Sequence, residues 1–122
     1  MRDTERVLEN DDELPENAMR VALCASRYPI PDVDDSIFPR VVENPLDFDA
    51  HIKHVEAWID ENVQFLLEDS SKLYIYITGL TPVLTSFLQT YDLYPLNARV
   101  SLMHYDISKP YNMNAYAEQR WV

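Results

Sequence analysis

Leu73-Tyr74-Ile75-Tyr76-Ile77-Thr78-Gly79-Leu80-Thr81-Pro82-Val83-Leu84-Thr85-Ser86-Phe87-Leu88-Gln89-Thr90-Tyr91 reads as a strand, a turn and a helix. In the first part, Tyr74 and Tyr76 share one face and Leu73, Ile75 and Ile77 share the other, as a pleated strand requires. In the last part, Val83, Leu84, Phe87, Leu88 and Tyr91 recur at helical spacing and form one apolar stripe. Thr81 suits the N-cap and Pro82 the first helical position. Between them stands Gly79, the only glycine of the 122-residue chain. Glycine tolerates φ > 0 and close approach of another backbone or a ligand. Backbone N–H groups at the start of a helix point outward and favour anions.

The same alternation extends outward from this unit. Met19 to Ala25 is a mostly apolar run that fits a strand buried on both faces. Ser26-Arg27-Tyr28-Pro29-Ile30-Pro31 follows, and its two prolines favour an extended loop, which Asp32 to Ser36 continues. Phe38 to Glu43 fits a short strand, with Pro39 directing it to a sheet edge. After Pro45 comes a helix capped by Asp47 or Asp49, with Phe48, Ile52, Val55, Ile59, Val63 and Leu66 along one stripe. Glu68 to Lys72 makes a polar turn. Arg99 to Asp106 is a third central strand. The tail from Lys109 to Val122 carries Tyr111, Tyr116 and Trp121, and it is expected to add an edge strand or cover an apolar face. Residues 1–17 read as an acidic flexible tail, and residues 18–122 as one domain.

Strands alternating with amphipathic helices imply an α/β architecture. The expectation is a small Rossmann-like three-layer fold with a mostly parallel sheet of about four or five strands. In such sheets ligands sit beyond the carboxyl ends of the strands, where the strand order reverses. Three loops are expected there: Ser26 to Pro31, Thr78 to Pro82, and His104 to Asp106.

The net charge is −11, with Asp and Glu numbering 21 against 10 Lys and Arg, and the sequence pI is near 4.4. That balance argues against direct binding to duplex nucleic acid, which needs clustered Lys and Arg. It fits colloidal stability first, then attraction to a basic partner protein or imitation of nucleic-acid phosphates. No apolar run approaches the ~20 residues that span a bilayer, and no secretory signal core is expected at the acidic N-terminus. Cys24 is the single cysteine, so no internal disulfide forms, and a cytoplasmic location is expected.

Each candidate residue has a functional and a plainer structural reading. The Thr78-Gly79-Leu80-Thr81 turn can cradle a phosphate or carboxylate with its N–H groups and hydroxyls, or it is a tight capped turn. It lacks the glycines and lysine of ATPase or dinucleotide loops. Arg27 can fork onto phosphate oxygens and Tyr28 can stack on a base. Alternatively, Arg27 pairs with Asp32, Asp34 or Asp35. His104 and Asp106 share a strand face and could orient an imidazole for acid–base work, or His104 is a half-buried, hydrogen-bonded ring. His51 and His54 are one helical turn apart, but that spacing alone carries no metal expectation. Tyr74 and Tyr76 read as packing residues with solvated hydroxyls ahead of a stacking platform.

The strand ending in Cys24-Ala25-Ser26-Arg27-Tyr28-Pro29, the Thr78-Gly79-Leu80-Thr81-Pro82 turn and the closing Leu102-Met103-His104-Tyr105-Asp106 resemble the layout of small CRISPR-associated Rossmann-fold (CARF-like) proteins. Uncharacterised phage and prophage proteins of similar length are similar around the glycine turn. The CARF resemblance implies binding of a cyclic oligoadenylate, often at a dimer interface, with metal-independent cleavage in some members. It assigns ligand contact to Ser26, Arg27, Thr78, Gly79, Leu80 and Thr81. The expected site is therefore Ser26, Arg27, Tyr28, Thr78, Gly79, Leu80, Thr81 and His104, with no metal, no cofactor and no assigned catalytic residue. The expected partners are a small nucleotide or a basic protein, with a homodimer as a further option and no membrane.

Overall fold

The computed structural model describes residues 17–26, 30, 33, 35–78, 81–105 and 116–121. In chain order the elements are β1 (Ala18–Cys24), β2 (Asp35–Phe38), α1 (Phe48–Glu61), α2 (Val63–Leu67), β3 (Lys72–Tyr76), α3 (Thr81–Asp92), β4 (Arg99–Tyr105) and β5 (Tyr116–Trp121). They make a five-stranded sheet in the order β2-β1-β3-β4-β5. The first four strands are mutually parallel and β5 runs antiparallel to β4. The chain is thus α/β with a mixed, mostly parallel sheet. The tail supplies the edge strand.

Side-chain alternation sorts the sheet into two faces. Val21, Leu23, Leu73, Ile75, Val100 and Leu102 are buried with Val55, Trp58 and Ile59 of α1, Leu66 of α2, and Val83, Phe87 and Tyr91 of α3. All described helices thus pack on one face. The expected three-layer arrangement is present only as two layers among the described residues. On the other face, Ala22, Tyr76 and Ile30 form a small cluster flanked by Val33, Tyr74, Met103 and Tyr116. Ile30 and Val33 belong to the β1–β2 connection, so that loop covers part of the helix-free face.

Local chemistry explains where the elements differ from expectation. β2 ends at Phe38, whereas the sequence points to a strand beginning there. Ile37 and Phe38 are buried and Cys24 pairs with Phe38, while Pro39 offers no N–H to continue the ladder. In α1 the buried residues are His51, Val55, Trp58 and Ile59, and Phe48 is 51 % exposed. The apolar stripe is thus rotated from the expected one, because Trp58 claims the core against Phe87 at a centroid distance of 6.0 Å. Asn62 divides the expected single helix. Its Nδ2 donates to the Trp58 carbonyl, and its backbone N–H donates to Ile59. Asp47 caps α1, accepting from the Ala50 N–H at 3.2 Å.

Candidate functional site

The strand order reverses between β1 and β3. From β1 the chain moves outward to β2, then returns past β1 to β3 and continues to β4 and β5. In open α/β sheets such a reversal is where ligand crevices form, outside the carboxyl ends of the strands. Ser26 lies just past β1 and is exposed, Thr78 lies just past β3, and Thr81 opens α3 and is exposed. Of the expected residues, Ser26 and Thr78 thus each follow one of the two adjacent strands, and Thr81 begins the helix after β3. Arg27, Tyr28, Gly79 and Leu80 lie outside the described residues, as does Asp106.

Thr78 has a structural task at this point. Its Oγ1 accepts from the Cys24 N–H at 2.9 Å and donates to the Cys24 carbonyl at 2.5 Å. Backbone pairing runs from Ala18↔Lys72 to Ala22↔Tyr76, and two positions further in that register Cys24 stands opposite Thr78. The hydroxyl thus ties the two strands together two positions beyond their last backbone pair. Both of these bonds are directed at β1, whereas Thr81, at the start of α3, is exposed. α3 begins at Thr81, one residue earlier than expected. One turn into the helix, Ser86 Oγ donates back to the Pro82 carbonyl at 2.8 Å.

His104 is engaged with the edge strand. Alternation along β4 puts it on the side of Val100 and Leu102, and its Nε2 sits 2.8 Å from Gln119 Oε1 of β5. The α1 histidines are likewise engaged. His51 Nε2 donates to the Pro45 carbonyl at 2.8 Å, and His54 Nε2 donates to the Ile37 carbonyl at 2.6 Å. The His54 ring stacks on Phe38 at 4.7 Å. These rings fasten β2 and the segment before α1 to the helix. Among the described residues no group of three His, Cys, Asp or Glu is arranged to hold a metal.

The helix-free face holds a feature that the sequence reading passed over. Arg20, inside the apolar β1 run, lays its guanidinium over the Tyr74 ring at 4.3 Å. Its Nη1 donates to the Tyr76 hydroxyl at 2.6 Å, and its Nε is buried without a hydrogen-bond partner. Tyr74 and Tyr76 therefore serve as seats for a cation, more specific than solvated packing. Burial pushes the Tyr74 phenol above its usual value, Glu118 adds to the rise, and Arg20 opposes it. The available signal was a lone charge in an otherwise apolar strand. At the opposite, amino-terminal edge of the sheet, Asp69, Ser70, Lys72, Asn97 and Arg99 line an open polar depression of about 320 Å³.

Compared with known proteins, the chain matches no protein-family model, no curated protein and no solved structure. No described helix is long and apolar enough to cross a membrane.

Proposed function

We propose that this chain is a small nucleotide-binding domain that takes an anionic ligand in the crevice between β1 and β3. The observation that carries the reading is the reversal of strand order at the two loops holding Ser26 and Thr81. In this reading, the Thr81 hydroxyl and the first N–H groups of α3 hold a phosphate, with the helix dipole adding attraction. Arg27 supplies the fork and Tyr28 a ring for the base. Thr78 acts indirectly by fixing the distance between the crevice walls. The sheet is then a reduced Rossmann-like three-layer fold, in which the β1–β2 connection stands in for a second helical layer. The likeness of the loops to CARF-like proteins favours an adenylate ligand, and the chain's net negative charge favours one with few phosphates. One buried cysteine fits a cytoplasmic location.

A thermal-shift series with AMP, ATP and a cyclic oligoadenylate tests this. A ligand at ~100 times its Kd contributes about 2.7 kcal/mol, which raises Tm by several degrees in a domain this size. Arg27→Ala and Thr81→Ala should each weaken binding about tenfold or more, the cost of a lost charge-assisted hydrogen bond. Unchanged melting with every nucleotide, or full affinity in Arg27→Ala, counts against the reading.

A second reading, an acidic interaction protein engaging a basic partner, rests on a surface patch. Val41, Leu46 and Phe48 are 68, 67 and 51 % exposed, and Glu43, Asp47 and Asp49 are interleaved with them. Apolar surface rimmed by charge of one sign is a common interface pattern. Under this reading Phe48→Ser abolishes partner binding, Arg27→Ala leaves it intact, and binding weakens steeply with salt.

A further inference from the structure

We propose that β5 is a self-pairing edge through which two copies of this chain join antiparallel, with Gln119 on the two-fold axis. Among the described residues, β5 pairs with β4 on one side and is the last strand of the sheet on the other. Ala117 to Trp121 are exposed along it. An edge strand presents a row of unpaired N–H and C=O groups, and natural edges are commonly guarded by charge. Here the guarding charges are arranged so that they satisfy a second copy.

Directly opposite residues of an antiparallel pair point to the same face. A two-fold axis between two β5 strands must therefore pass through a residue, and few choices exist. Centring on Glu118 sets carboxylate against carboxylate, and centring on Arg120 sets guanidinium against guanidinium. Both arrangements are destabilising. Centring on Ala117 leaves Trp121 without a partner residue in β5. Centring on Gln119 sets Glu118 opposite the partner's Arg120, and the reverse, so the favourable pair occurs twice. Each chain is prepared for this contact. Ser101 Oγ donates to Glu118 Oε2 at 2.7 Å and holds the carboxylate in place. The Arg120 side chain is 86 % exposed and lies 4.0 Å from Glu118 of its own chain.

The other face of β5 fits the same register. Ala117 comes opposite the partner's Trp121, the smallest side chain of the strand facing the largest. Ala117 also pairs with His104 on β4, so the incoming indole would extend across Ala117 toward the imidazole. Trp121 is 37 % exposed in the single chain. Pairing would join the two five-stranded sheets into one continuous sheet. A single short strand on each side buries less than a standard interface, and two chains of net charge −11 repel. The dimer is therefore a weak, concentration-dependent one.

The test uses the full chain in sedimentation velocity from about 10 μM to about 1 mM, a range that brackets weak association. The expected result is a reversible monomer–dimer equilibrium. Glu118→Lys or Arg120→Glu alone should weaken it about tenfold or more, since each creates two like-charge pairs. The double variant, which swaps the charges, should restore it. Gln119→Cys provides a second readout in an otherwise unchanged chain. Mild oxidation should give an interchain disulfide, because Cβ atoms directly opposite lie about 5 Å apart. Ala117→Cys should not cross-link, since its two copies would stand about 13 Å apart along the strands. Cys24 is buried and stays out of the reaction. A monomer at every concentration, a dimer indifferent to single charge reversal, or equal cross-linking at 117 and 119 would overturn the proposal.

Discussion

One hydroxyl holds β1 and β3 together where their loops diverge. Thr78 both accepts from and donates to Cys24, and Thr78→Val keeps the shape while removing both bonds. It should cost about 1–3 kcal/mol, the range for leaving buried polar groups unsatisfied, seen as a lower urea midpoint at unchanged slope. Nucleotide affinity should fall with it as the crevice walls lose their fixed spacing. Tyr91 offers a test by pH. Its hydroxyl donates to the Ala98 carbonyl at 3.0 Å, and burial pushes the phenol up from 10.0 to about 12. The protonated form is thus favoured in the folded state. The stability this contributes is fully present below pH 10 and is lost as pH rises toward 12. Tyr91→Phe should flatten that alkaline loss, measured by urea unfolding along a pH series. Thr78 was legible as a turn residue, but its engagement with Cys24 was not. That contact spans 54 positions and depends on strand register, which local pattern does not specify.

At the scale of elements, α1 and α3 meet each other through an aromatic contact above the sheet. Phe87 is fully buried, lies 6.0 Å from Trp58 and 5.5 Å from Tyr91, and joins both helices to the sheet core. Phe87→Ala should therefore destabilise by about 3–5 kcal/mol, the usual range for removing a buried ring, as read from chemical denaturation. Asp47→Ala should cost about 1 kcal/mol through loss of the α1 cap. Strands β1, β3 and β4 and helix α3 were legible because their apolar residues are dense and evenly spaced. The α1 face was legible only in part. Aliphatic periodicity favoured Phe48 and Ile52, whereas the structure buries His51 and Trp58, whose rings satisfy the Pro45 carbonyl and pack on Phe87. β2 was misplaced because its pairing with β1, more than its own propensity, fixes its extent.

For the whole molecule, acidic groups outnumber basic ones 21 to 10. Self-repulsion then opposes the compact state and salt screens it. Tm should rise by a few degrees between low and physiological ionic strength, in calorimetry without ligand. The α/β class and parallel character followed from the alternation of elements along the chain. The layering did not, because Ile30 and Val33 cover the second face from a loop that has no periodicity to read. Ser26 and Thr78 follow the two strands at which the order reverses, while the His104 ring pairs with Gln119. The central claim is that this reversal binds a nucleotide. Amide chemical-shift mapping of isotope-labelled chain during titration with an adenine nucleotide tests it most directly. The account predicts saturable shifts concentrated at Ser26, Thr78 and Thr81 and at the residues adjoining them in the two loops. Shifts that do not saturate, or that centre on the amino-terminal edge around Lys72 and Arg99, would contradict it.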